Sequence, residues 1–197
     1  MTSFLSDTQK ILESDKILCY YSLNASTERD TFMKNITLIG MPGAGKSTIG
    51  VILAKSLLGD FTDTDLIIQK KTGKSLCELL DEKGRDGFLA LENDIICAED
   101  FDSCVIATGG SAVYGKEAME KLCAISTVIF LDVDVSELER RLSNIKTRGV
   151  AMKKGTTVKD LYTERLPLYQ KYADYTLNCT GTTAEECVDE IMKLLKK

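Results

Sequence analysis

Residues 40–48 read Gly40-Met41-Pro42-Gly43-Ala44-Gly45-Lys46-Ser47-Thr48. The stretch matches GxxxxGK[ST], and its surroundings decide the fold. Before it, residues 35–40 (NITLIG) form a short apolar run, as a buried strand would. After it, residues 46–58 place Ile49, Ile52, Leu53 and Leu57 on one helical face. Strand, glycine-rich turn and helix is the context in which this motif holds phosphates. Glycines let the backbone close around the phosphates with amide N–H groups turned inward, and the helix N-terminus adds partial positive charge. Lys46 is expected at the β- and γ-phosphates and Ser47 at a Mg2+ ion, with Gly43, Ala44, Gly45 and Thr48 completing the cradle.

The alternation continues outward from the loop. A short strand runs into Asp63-Thr64-Asp65, and residues 103–108 (SCVIAT) make another, closed by Gly109-Gly110. Residues 126–132 (STVIFLD) and 174–178 (DYTLN) complete five predicted strands. Helical spacing appears at Val135, Leu138, Leu142 and Ile145, and again at Ala184, Val188, Ile191, Met192 and Leu195. This order predicts an α/β protein with a five-stranded parallel sheet flanked by helices on both faces. Ligands of such sheets bind beyond the carboxyl ends of the strands, so loops 40–47, 63–65 and 108–111 are expected to converge on one site.

A chain of 197 residues suits one full domain, here 34–197, preceded by a polar N-terminal extension over 1–33. Net charge is −5, which argues against general nucleic-acid binding. There is no histidine and none of the seven cysteines forms a CxxC pair, so a structural zinc site is not expected. Any general base must then be Asp, Glu, Lys, Tyr or Cys. Cys97, Cys104 and Cys123 lie within or beside apolar runs and read as reduced core residues of a cytoplasmic protein. No apolar run approaches the ~18 residues of a membrane span, and the N-terminus lacks a secretory pattern. A monomer with a small-molecule partner, touching neither membrane nor nucleic acid, is the expectation. No NKxD sequence marks guanine, so ATP is the expected nucleotide. Residues 81–84 fit DxxG but read as a helix end with a glycine cap.

Asp63 and Asp65 sit two apart at a strand end, so continued strand geometry would put their side chains on one face. Beside Mg2+ and triphosphate one can hold the metal and the other can take an acceptor hydroxyl's proton. The alternative is that both cap the following helix. Residues 144–159 hold five basic residues, two glycines and no acid, which suggests a lid closing over ATP or else a solvated charged loop.

With these motifs in order, most of residues 35–197 resemble the shikimate kinase family, and the resemblance implies a P-loop kinase fold. It implies ATP-dependent phosphoryl transfer to a small metabolite, shikimate to shikimate 3-phosphate, within aromatic amino acid biosynthesis. DTD at 63–65 resembles the family's DxD, which implies Asp63 at Mg2+ and Asp65 on the acceptor as base. ATGG at 107–110 resembles its TGGG turn, with Gly109 and Gly110 facing γ-phosphate and acceptor. Arg165-Leu-Pro-Leu-Tyr169 resembles RxPLY, whose arginine binds the acceptor's carboxylate. Arg141 fits the adenine-stacking arginine and Arg148 the lid arginine. The acceptor-binding region falls at about 63–100.

The chain departs from the family at FRxxE, which reads Phe88-Leu89-Ala90-Leu91-Glu92. Leu89 replaces an arginine that grips carboxylate, an exchange worth roughly 2–3 kcal/mol. Arg85, one turn earlier, could reach in as a substitute where the family usually has glutamate. Otherwise the acceptor is another small hydroxylated acid or amino alcohol, or Leu89 and Leu91 are simply core. Ser111 also stands where the family has a third glycine. A third reading, a non-catalytic ATP-binding module, is opposed by the intact Lys46, Ser47, Asp63 and Asp65.

Overall fold

The computed structural model describes residues 35–143 and 155–196. The N-terminal extension and most of the expected lid, Arg148 included, lie outside the described residues. The strands are β1 (Asn35–Ile39), β2 (Asp60–Asp63), β3 (Cys104–Ala107), β4 (Ser126–Asp132) and β5 (Tyr175–Asn178). They form one parallel sheet in the order β2-β3-β1-β4-β5. The helices are α1 (Lys46–Ser56), α2 (Thr64–Thr72), α3 (Leu76–Ala98), α4 (Lys116–Ile125), α5 (Val135–Ser143), α6 (Val158–Tyr172) and α7 (Ala184–Leu195). A 3-10 turn occupies Ala112–Tyr114.

Every residue of β1 and β3 is buried. Side chains alternate between faces along a strand, so both faces of the central sheet are covered, as the unbroken apolar runs predicted. Polar positions inside it are paired. The Asn35 side chain accepts from Cys104 N (2.9 Å) and donates to Phe101 O (3.1 Å), while the Thr37 and Ser126 hydroxyls meet at 2.7 Å. The edge strands β2 and β5 are more exposed and more polar, as edges need to be.

Strand order is what gathers the site. β2, β3 and β1 are neighbours, so the loops leaving their carboxyl ends lie side by side although they are far apart in sequence. Thr108 reinforces this: its amide and its hydroxyl both donate to the Leu38 carbonyl, tying the end of β3 to β1.

The structure departs from the sequence reading after β2. Strand β2 ends at Asp63 and α2 starts at Thr64, so Asp63 and Asp65 do not continue one strand face. Asp63 is the N-cap, which turns the chain into helix at once. Gly84, read as a helix end, does end the first helical segment of α3, with φ 67 and ψ 178, and a second segment begins directly beyond it. Among the described residues no helix is long and apolar enough to cross a membrane.

Candidate active site

The three loops meet around a cavity of about 340 Å3. Its walls include Gly43, Gly45, Lys46, Ser47 and Thr48 from the phosphate loop, Asp63 and Asp65, the turn 108–111, Phe88 and Arg165. Ala44 is buried and does not line it.

Helices α2, α3, α6 and α7 each begin with a side-chain cap, from Asp63, Ser75, Thr157 and Thr183. Helix α1 begins at Gly45 with no side-chain cap and no acid in its first turn. Its leading N–H groups and dipole are thereby left to an anion. Lys46, nearly buried, donates to the carbonyls of Gly40 (2.7 Å) and Met41 (2.9 Å). Those contacts hold the ammonium inside the loop where a phosphate can exchange for the carbonyls.

The Ser47 hydroxyl donates to Oδ2 of Asp63 at 2.6 Å. Oδ1 of the same carboxylate accepts from Asp65 N at 3.0 Å as the helix cap. Capping thus uses one oxygen of Asp63, and the Ser47 hydroxyl takes the other. No cluster of three or more Cys, Asp or Glu able to hold a metal occurs among the described residues. A cation here would take two hard oxygens from the protein and the rest from phosphate and water, which suits Mg2+. Asp65 stands in the first turn of α2, facing the cavity.

Gly109 and Gly110 are there because nothing larger fits. A Cβ on Gly109 would collide with Oε1 of Glu92 and lie 2.7 Å from Oδ1 of Asp65. One on Gly110 would lie 2.7 Å from Pro42 and 3.1 Å from Nη1 of Arg165. The backbone turn therefore brings two carboxylates and a guanidinium together. The Gly109 amide is taken by the Thr64 hydroxyl (3.0 Å), and the Gly110 carbonyl accepts from Tyr169 Oη (2.7 Å). Tyr169 is held in turn by stacking on Phe130, with ring centroids 4.9 Å apart.

Arg165 is fully buried, at 0% exposure, and lines the cavity. Its Nε donates to Tyr114 Oη at 3.3 Å. Glu92 was not singled out from the sequence as a site residue, yet it is 1% exposed and lies at the same junction. Oε2 accepts from the Ser111 hydroxyl at 2.7 Å, and Oε1 has no hydrogen-bond partner. Burial pushes its carboxyl up to about 7; the Ser111 hydrogen bond opposes this and the Asp65 charge adds to it. The signal was present: Phe88, Glu92, Ile95 and Ile96 lie on one helical face, and an acid there occupies a position whose spacing asks for an apolar residue.

Three residues weighed from the sequence lie outside the wall of this cavity. Leu89 packs on the cluster of Ile68, Leu79, Phe88 and Ile95, and it does not line the cavity. Arg85 does not line it either; Nη2 donates to Glu164 Oε1 at 2.9 Å. Arg141 lies beneath the phosphate loop, where Nη1 donates to Gly43 O (3.0 Å) and Nη2 pairs with Glu137. Glu137 also accepts from Gly181 N at 2.9 Å, so this pair joins the loop to the turn after β5. That amide contact and the Arg141 pair hold the Glu137 carboxyl below its usual range.

Comparison with known proteins fits this geometry. The family model described as shikimate kinase matches residues 42–196. The chain belongs to the shikimate kinase family. A shikimate kinase of Clostridium botulinum (strain Eklund 17B / Type B) is 42% identical over 168 residues, spanning 83% of this chain and 98% of that one. The structure of a shikimate kinase from Acinetobacter baumannii in complex with shikimate superposes with a TM-score of 0.76. It is 30% identical and covers 83% of this chain and 93% of that one. Shikimate kinase from Aquifex aeolicus gives 0.70 at 32% identity, covering 82% and 96%. Membership of the shikimate kinase family makes this chain a small-molecule kinase using ATP, with the P-loop kinase fold.

Proposed function

We propose that this kinase transfers the terminal phosphoryl group of ATP to a ring hydroxyl of shikimate, giving shikimate 3-phosphate and ADP. The observation that carries the reading is a fully buried Arg165 in the same cavity as Asp65 and the phosphate loop. A buried guanidinium is suited to a planar carboxylate that fills the cavity, because a charge-assisted pair away from water is strong. That contact would fix the ring and turn a hydroxyl toward Asp65.

Lys46 would exchange its carbonyl contacts for the β- and γ-phosphates, and the uncapped start of α1 would hold the phosphate oxygens. Asp65 would accept the hydroxyl proton as the oxygen attacks phosphorus. Ser47 and Asp63 would hold Mg2+, which when bound neutralises charge on the transferring group. Arg148 and Arg141 keep the lid and adenine assignments that the resemblance gives them, and Gly109 and Gly110 shape the acceptor wall.

The exchange of arginine for Leu89 does not remove the acceptor's anchor on this reading, since Leu89 packs away from the cavity. Recognition of the carboxylate falls to Arg165. The test is ADP release from ATP and Mg2+ with shikimate, gluconate and homoserine in parallel, with the product identified by 31P NMR. Shikimate-dependent release with one phosphomonoester formed per ADP supports the proposal. Release only with another acceptor, or none above the acceptor-free rate, overturns it.

A further inference from the structure

We infer that Arg85 is a positioning residue: with Tyr114 and Glu164 it sets the angle at which Arg165 enters the cavity. The inference rests on the reading of Arg165 as the acceptor's anchor.

The contacts form one directed chain. Arg165 Nε donates to Tyr114 Oη at 3.3 Å, and that hydroxyl donates to Glu164 Oε1 at 2.7 Å. The same oxygen accepts from Arg85 Nη2 at 2.9 Å. With its proton spent on Glu164, the Tyr114 oxygen presents lone pairs to Arg165, so each bond orients the next. Both guanidiniums also lie against the Tyr114 ring, Arg85 at 4.8 Å and Arg165 at 5.2 Å from its centroid. Two like charges on one ring repel, and the Glu164 carboxylate between them offsets that repulsion.

Three elements are joined in this way. Arg85 is the first residue beyond the Gly84 break in α3, Tyr114 ends the 3-10 turn, and Glu164 and Arg165 are successive residues of α6. Successive helical residues point about 100° apart. Glu164 is accordingly half exposed while Arg165 is buried, and Tyr114 bridges the two. Without Arg85 the Glu164 carboxylate is released to water, the Tyr114 hydroxyl loses a fixed acceptor, and the Nε anchor of Arg165 drifts. Leu89 brings no second guanidinium into the cavity, so that drift falls directly on the acceptor.

Two readouts on the full chain test this. The first is solvent exchange of the Arg165 Nε–H in 15N-arginine-labelled protein, its signal identified by its loss in Arg165→Lys. Slow exchange in wild type, about tenfold faster in both Arg85→Ala and Tyr114→Phe, is expected. The second is kinetic. A misplacement near 1 Å costs about 100-fold, so partial loosening should raise KM for shikimate about tenfold. KM for ATP should stay within about twofold, Arg85→Lys should recover part of the loss, and the double variant should be no worse than Tyr114→Phe alone. Unchanged Nε–H exchange in Arg85→Ala overturns the inference. So does a rise in both KM values with a fall in Tm, or effects that multiply in the double variant. A wild type with protected Nε–H that does not phosphorylate shikimate overturns the acceptor reading, and the exchange data alone then decide the positioning role.

Discussion

The hydroxyl of Ser111, a residue of the cavity wall, donates to Oε2 of buried Glu92 at 2.7 Å. Ser111 occupies the position where the TGGG pattern has its third glycine, so this chain supplies its buried carboxylate with a donor that the pattern lacks. The other oxygen, Oε1, lies against Gly109 without a hydrogen bond.

This pair makes stability depend on pH with a definite sign. Glu92 has its carboxyl pushed from 4.5 to about 7, so between those values the folded chain binds a proton the unfolded chain has lost. The contribution is fully present below about 4.5 and is lost as pH rises through about 7. Glu92→Gln carries no titrating group there. Thermal melts of both proteins across pH 5 to 8 should show the variant gaining on wild type as pH rises, by roughly 5 °C in total. A difference that is flat with pH would mean that Glu92 ionises normally in the folded state.

Leu89 invites a different test. Its packing on Ile68, Leu79, Phe88 and Ile95 predicts that Leu89→Ala costs stability, about 1–2 kcal/mol given that the side chain is only half buried. KM for shikimate should remain within about twofold. A rise of tenfold or more without loss of Tm would place Leu89 against the acceptor and contradict the cavity described above.

The same residues show what a sequence carries and what it leaves out. Strand, loop and helix around Lys46 are local, so glycine placement and apolar spacing disclosed them together. The convergence of Asp65 and Gly109 on the phosphate loop depended on parallel strands, which the alternating pattern implied, whereas Arg165 was assigned to the site only by the family resemblance. The order β2-β3-β1 and the pairing of Arg85 with Glu164, 79 residues away, are tertiary facts with no local signature. Leu89 drew attention as a missing charge, because a motif comparison registers identity and not direction; its side chain serves the helix packing. Asp63 and Asp65 posed a choice between capping and chemistry; Asp63 caps with one oxygen, and its other oxygen accepts from Ser47.

The proposed metal role of Asp63 and its capping role can be separated by two substitutions. Asn is as good a helix cap as Asp, so Asp63→Asn keeps an oxygen for the Asp65 amide. Its amide nitrogen then faces Ser47, putting a donor where a cation requires an acceptor. The expected result is an unchanged Tm with at least about a tenfold rise in the Mg2+ concentration for half-maximal turnover, since losing a supporting group around a metal costs about 10–100-fold in metal affinity. Asp63→Ala removes both functions and should in addition lose about 1 kcal/mol of stability. Melting curves and Mg2+ titrations of turnover on the two variants resolve the roles. Equal Mg2+ dependence in Asp63→Asn and wild type would leave Asp63 as a cap alone and move the metal-facing oxygen to another residue of the cavity.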